Sequence, residues 1–366
     1  MLNEYNMKLA SLLLQFSGRC GVAKCWVLIL LKFMLVASIF VYLYRAGQFD
    51  VAKLTKVFDR LGLFISALLL MLLGTVLVVE RWRLLLQIQN IQISYWRATQ
   101  LTFIGLFFSI VIPGAVSGDM VKAYYLAKGQ SQKAVPVMSV FFDRLLGLYT
   151  TLFIASSAIL FAFIIETVSA QPGILSEPYA RPLVLFVLGI FGGLTVLAVV
   201  FMNKRISGAW MEKLIAKVPF RAIIERIYHA VHQHGSKPVL TCKALVVSIV
   251  VQMPGYAGLW CLTSIFGTQT LAFGDFLIAL PICFLVNSIP LAPGGIGVGE
   301  VGFRTVLLLV GFQSGAELAV LYHLTFFILA IGVGGLIYMF SDVSASQLKA
   351  KESYRKKSDT DLGNRK

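Results

Sequence analysis

Charge is scarce in this chain. Only 13% of the 366 residues are Asp, Glu, Lys or Arg, against about 25% in an ordinary soluble domain. That scarcity excludes a large soluble catalytic domain. Acids are rarer still, 17 against 32 Lys+Arg, for a net charge of +15. In a soluble protein such a balance points to nucleic acid. In an apolar chain it points to basic loops facing anionic lipid headgroups, and no nucleic-acid partner is expected. Cysteine is limited to Cys20, Cys25, Cys242, Cys261 and Cys283, with no CxxC. Three of the four histidines crowd into HAVHQH, His229 to His234, which reads as an interfacial helix. No metal-ligand spacing emerges, and no metal or cofactor is expected. A cleavable signal is also missing: residues 1–25 are polar or amphipathic, too long a lead into the first apolar run. They are expected to form a cytoplasmic amphipathic N-terminus.

Long apolar runs are abundant, and 58% of the residues are hydrophobic. Crossing a bilayer takes roughly 20 apolar residues. Six runs qualify: 26–44, 62–79, 138–165, 182–202, 244–266 and 318–340. Two more apolar regions, 98–112 and 276–312, are broken by glycine and proline. The expected fold is therefore an all-α polytopic membrane protein, with about six full spans and two re-entrant broken hairpins.

Basic residues orient the spans. The 203–243 loop carries eight Lys/Arg and the tail after 340 carries seven, while 166–181 has one and 267–275 none. The first two belong in the cytoplasm and the last two outside. With 244–266 running outward and 318–340 running inward, the region between must begin and end outside. By the same parity, with Arg81, Arg83 and Arg97 holding 80–97 inside, 98–135 begins and ends in the cytoplasm. The chain resolves into two inverted halves, 26–165 and 182–340, and a basic cytoplasmic tail, 341–366. Both termini lie in the cytoplasm. The 45–60 segment fits poorly: it should lie outside, yet it holds Arg45, Lys53, Lys56 and Arg60. Either it is an amphipathic surface segment or the first span is misread.

The two breaks resemble each other. The first reads SIVIPGAVSGDMVK, Ser109 to Lys122; the second reads SIPLAPGGIGVGEVGFR, Ser288 to Arg304. Each gives Ser, a Pro-Gly turn, a Gly-acid pair and then a cation. Inverted repeats with interrupted helices are a transporter signature, and the interruptions point to the substrate site. The candidates there are Gly118, Asp119 and Lys122 in the first break. In the second they are Pro293, Gly294, Gly295, Gly297, Glu300 and Arg304. A broken backbone in lipid is tolerated only where it is buried or lines a cavity.

Ionisable groups inside a bilayer cost roughly 2.5–3.5 kcal/mol each near its centre, so they pair or face water. Asp119 and Lys122 share a helix face, as do Glu300 and Arg304. Asp143 and Arg144 are adjacent in SVFFDRLLGLY and point about 100° apart, so each needs another partner. The expected pairs are Asp143 with Lys122, and Arg144 with Asp119 or a lipid phosphate. The alternative for all of them is a purely structural set of caps and internal ion pairs. Asn287 and His323 either line the cavity or bond between helices. Lys32 reads as a snorkelling or bundle-facing residue, Gly189 and Gly193 as helix packing, and Asp359-Thr360-Asp361 as part of a polar tail.

PGAVSGDMVKAYYLAKG, SVFFDRLLGLY and PLAPGGIGVGE, in that order, resemble the lysylphosphatidylglycerol synthase transmembrane region, a flippase-like family, over about residues 25–340. In two-domain members a soluble aminoacyltransferase follows the membrane part. Here a short basic tail follows, so the resemblance implies the translocating part without the synthase activity. By motif it carries over Gly118, Asp119, Lys122, Asp143, Arg144, Pro293, Gly294, Gly295, Gly297 and Glu300. The leading expectation is a translocase for a phospholipid or lipid-linked headgroup in a bacterial or archaeal cytoplasmic membrane, not an enzyme. Its partner is an anionic lipid, with a lipid-biosynthetic enzyme or a second copy of the chain as further candidates. The alternatives are a membrane-embedded transferase acting on a polyprenyl or glycolipid substrate, or a non-catalytic partner of a lipid synthase.

Overall fold

The structure is a computed structural model. It describes Met34, Ser38 and residues 40–47, 49–112, 116–128, 134–169, 180–203, 221–267, 273–288 and 295–341. Those residues form helices and connections, with no strand among them. Five helices are long and apolar enough to cross a membrane. They correspond to five of the six expected spans; the remaining one, 26–44, lies largely outside the described residues, as do residues 1–25 and 342–366.

In chain order, α1 is Val51–Asp59, α2 Leu61–Ile88, α3 Tyr95–Val111, α4 Ser117–Ala127, α5 Ala134–Ser169 and α6 Ala180–Met202. Then come α7 Arg221–Ser236, α8 Pro238–Thr263, α9 Phe273–Asn287, α10 Val298–Leu309 and α11 Gly315–Phe327. α11 continues through a π-helical segment, Ile328–Gly334, into α12, Gly335–Met339.

The centre of the fold is the antiparallel pair α2 and α8. At one end Arg60 donates to the Ser264 carbonyl at 2.6 Å. Near the middle Gly74 faces Pro254 and Val251, and Gly258 faces Ala67. At the other end Lys237 donates to the carbonyls of Gln87 and Ile88, at 3.1 and 2.9 Å, and to Asn90 Oδ1 at 2.6 Å. The last carbonyls of α2 would otherwise lack partners. Asn90 turns the chain there with φ 60, a conformation asparagine tolerates better than most residues.

Each of these helices is followed by a helix–break–helix hairpin and then by another long helix. The first hairpin is α3 and α4, opening at the Ile88–Lys237 end. The 17 residues of α3 reach about 26 Å, short of the roughly 30 Å hydrocarbon core. Ser117 closes its turn by donating to the carbonyls of Phe108 and Ile112. Gly118 lies so close to Gly105 that a Cβ would overlap the Gly105 carbonyl oxygen. The second hairpin, α9 and α10, opens at the Arg60–Ser264 end, where Trp260 meets Phe276 and Phe266 meets Phe312. Gly295 and Gly297 carry φ of +81 and +89 into α10, angles that suit glycine.

The contacts repeat between halves with α2 matching α8, α3 matching α9, α4 matching α10 and α5 matching α11. In each half the second hairpin arm packs on the following long helix, α4 on α5 and α10 on α11. The first arm crosses over: α9 packs on α5, and α3 packs on the π segment and α12. Because α2 and α8 run antiparallel, the matched halves are inverted.

One reading of the loops needs correction, and one open alternative is answered. Arg81 does not lie in a connection. It belongs to α2, which continues to Ile88, and it is buried; a hydropathy window ends a span at the first charges even when the helix goes on. The awkward 45–60 segment contains α1, an amphipathic helix capped by the Asp50 side chain on Ala52 N–H. Lys53 pairs with buried Glu317 at 3.5 Å and donates to Ser314 Oγ at 3.2 Å. With Arg60 on Ser264, two of its four cations hold helix ends together rather than report a side of the membrane.

Candidate functional site

The hairpins place a carboxylate at the same point. Asp119 is the third residue of α4 and Glu300 the third of α10. Each meets a nitrogen base on the following long helix: Arg144 on α5 for Asp119, and His323 on α11 for Glu300. The two sites differ sharply in exposure and in chemistry.

At the first site Arg144 Nε donates to Asp119 Oδ2 at 2.7 Å and its Nη2 to Oδ1 at 3.1 Å. This is the two-point fork by which guanidinium binds carboxylates and phosphates. The Arg144 side chain is 70% exposed and that of Asp119 17%. Beneath it lies a sealed layer. Arg81 Nε donates to Asp143 Oδ1 at 2.8 Å, and Lys122 Nζ stands 3.8 Å from Asp143 Oδ2. Lys122 also sits over the Trp82 ring, 3.7 Å from its centroid, and Trp82 donates to Ser139 Oγ. Gly147, one turn beyond Asp143, makes room for the Arg81 guanidinium.

The magnitudes separate the two layers. An exposed ion pair is worth about 0.2–1 kcal/mol, so Arg144 can exchange Asp119 for another anion cheaply. Breaking a buried pair by removing one partner costs about 3–5 kcal/mol, so Arg81–Asp143 is scaffold. Together Arg81, Lys122 and Arg144 carry three positive charges against two on Asp119 and Asp143. One positive charge is left over for an anion.

The second site is closed. Glu300 and His323 are 1% and 5% exposed at their side chains. Glu300 Oε2 accepts from the Gly297 N–H, capping its own helix, while Oε1 faces His323 Nδ1 at 2.9 Å. His323 Nε2 faces Asn287 Oδ1 at 3.1 Å. Asn287 ends α9, and its side chain occupies space that only Gly295 and Gly299 leave open. Glu300 thus uses both oxygens away from Arg304, which stands half-buried one turn on. Tyr322 lies between the two sites: it stacks on Phe303, meets Phe284 edge-on and interacts electrostatically with Arg144.

Among the candidates, Asp119, Lys122, Asp143 and Arg144 form one continuous cluster, and Asn287, Gly295, Gly297 and Glu300 form the other. Gly118 serves the tight packing of the first hairpin. Pro293 and Gly294 lie outside the described residues. Sequence reasoning missed Arg81, Trp82 and Tyr322. Arg81 carries a usable signal: it follows 20 residues of α2 that contain no proline, seven residues before the helix ends.

The family model for the lysylphosphatidylglycerol synthase TM region matches residues 29–335. No curated protein and no solved structure matches the chain. The match spans the repeat, both hairpins and both polar clusters. The chain belongs to the lysylphosphatidylglycerol synthase transmembrane-region family, and it is a multi-pass integral membrane protein of a family tied to lipid metabolism or translocation.

Proposed function

We propose that the protein moves a lipid with an anionic headgroup across the membrane, with Arg144 as the headgroup ligand. The observation that carries this reading is the Arg144–Asp119 fork: a permanently charged guanidinium, mostly exposed, on a long apolar helix and beside a helix break. A phosphate matches the geometry in which Asp119 is now held. Asp119 keeps the guanidinium aimed when the site is empty, and the phosphate displaces it. Arg81, Asp143 and Lys122 hold α2, α4 and α5 in register beneath the site. The headgroup docks on Arg144 while the tails stay in the bilayer. The hairpins, opening at opposite ends of the bundle, give the two faces their separate entrances.

In this reading the Ile88–Lys237 end faces the cytoplasm of a bacterium or archaeon, because the basic 203–243 region and the basic tail belong there. A transferase reading finds acid–base groups in Glu300 and His323, but their burial keeps them from a headgroup in this conformation.

The test is movement of fluorescent phosphatidylglycerol in proteoliposomes, followed by quenching of the outer leaflet. Arg144→Ala should abolish protein-dependent movement. Arg144→Lys should restore little of it, because an ammonium lacks the fork. Movement at the wild-type rate in Arg144→Ala would overturn the assignment.

A further inference from the structure

The repeat puts a titratable base where its other half keeps a permanent cation. Asp119 faces Arg144, a permanent cation; Glu300 faces His323, an imidazole that can gain or lose a ring proton. From this geometry we infer that Glu300, His323 and Asn287 form a proton-binding site, and that its occupancy holds the second hairpin closed. The gating part rests on the translocase reading above; the proton site does not.

The hydrogen bonds carry the argument. With the amide oxygen of Asn287 assigned to the ring side, each imidazole nitrogen faces an acceptor: Glu300 Oε1 at Nδ1 and Asn287 Oδ1 at Nε2. Neutral imidazole has a single N–H, so it cannot satisfy a carboxylate and an amide oxygen together. The arrangement is complete only when the pair holds one further proton, as imidazolium beside carboxylate or as imidazole beside carboxylic acid. In that state α11 is tied to both arms of the hairpin, to α10 through Glu300 and to α9 through Asn287.

Loss of that proton leaves a buried nitrogen lone pair facing an oxygen lone pair, and a buried contact without its hydrogen is costly. The bonds are therefore present below the midpoint and lost as pH rises through it. Both side chains are nearly sealed, so the proton reaches water only when the hairpin opens, and opening is linked to proton release. The charged and titratable groups around the ring are Glu300 on α10, with Arg304 one turn on, Tyr322 on α11 itself, Arg144 reaching Tyr322 from α5, and Tyr256 on α8, which stacks on Phe284. Intramembrane Glu and His chains of this kind serve proton relays in pumps and transporters.

The experiment labels histidine with ¹⁵N in the full chain in nanodiscs. There are only four histidines, and the His323 signal is identified by its loss in His323→Gln. Should that variant fail to fold, substituting His229, His232 and His234 by Gln identifies it by elimination. The His323 ring should change protonation state as pH is raised, and Glu300→Gln should move that change. In proteoliposomes, lipid movement should rise about fivefold or more across that change and be flat in His323→Gln. A ring that keeps one protonation state throughout, or whose titration ignores Glu300→Gln, overturns the site. A ring that titrates while lipid movement stays constant with pH overturns the gate and leaves the site standing. Absence of lipid movement at every pH, with the ring still titrating, counts against the translocase reading alone.

Discussion

Asp143→Asn and Asp119→Asn remove the same charge from neighbouring positions, and their consequences should differ by orders of magnitude. Asp143 is buried, 2.8 Å from Arg81 and 3.8 Å from Lys122. Neutralising it leaves two buried cations without their shared anion. Loss of one partner from a buried pair costs about 3–5 kcal/mol, which at about 1.4 kcal/mol per factor of ten lowers the folding equilibrium by two to nearly four orders of magnitude. Total stabilities run to only about 5–15 kcal/mol, so the loss takes a large share of what holds the chain folded. Asp119→Asn breaks a pair whose arginine is 70% exposed, and the cost should stay within about 1 kcal/mol. The assay is thermal loss of monodisperse protein in matched detergent, with both variants beside the wild type. Asp143→Asn should melt far lower and Asp119→Asn close to wild type. Adding Arg81→Met to Asp143→Asn should recover part of the loss, because the uncompensated guanidinium goes with it. Equal melting of the two single variants would refute the division into scaffold and exchangeable layers.

Two further outcomes test the frame that holds the site. Gly118→Ala puts a methyl group into the Gly105 carbonyl; overpacking of this kind costs about 1–3 kcal/mol, and the variant should melt lower and move lipid more slowly, whereas Gly192→Ala, with open space around it, should do neither. Lys237→Met removes three hydrogen bonds from the end of α2; amide exchange at residues 87–91 should speed up while exchange near Gly74 stays unchanged.

The spans and the repeat were legible because hydropathy and basic-residue counts report them directly. Five long helices fall on five of the apolar runs, and the Gly-Pro clusters fall where α3 and α9 have ended and α4 and α10 have not yet begun. The partners within the polar clusters were less legible. Adjacent Asp143 and Arg144 had to point to different helices, which follows from helical geometry, but only packing brings Arg81 from 62 residues away. Arg81 was hidden by the same rule that oriented the chain, since a Lys/Arg count cannot tell a loop cation from one buried seven residues inside a helix end. Glu300 and Arg304 share a face by spacing, yet the backbone N–H left open by the turn at Gly297 draws the carboxylate back to its own helix start, and His323 takes the other oxygen. A cap and a cross-helix base together outbid a neighbour four residues on, and one sequence does not show that competition.

The crossed contacts say why the halves must work together. α5 carries Arg144 and Asp143, yet it packs against α9, the arm that presents Asn287. α11 carries His323, and the π segment that extends it packs against α3, where Gly334 lies close to the Phe103 carbonyl. Neither hairpin can therefore swing against its own half without shearing a helix of the other. A π-helical stretch has a looser hydrogen-bond register than an α-helix and is found most often at functional sites, so Ile328–Gly334 is the place where α11 can absorb such a shear. Tyr322 sits one residue before His323 and is electrostatically coupled to Arg144, so on the proposed reading a headgroup that drew Arg144 away from Asp119 would be felt on α11. On that reading, binding at the open site and protonation at the closed one would act on the same helix, α11, through neighbouring residues.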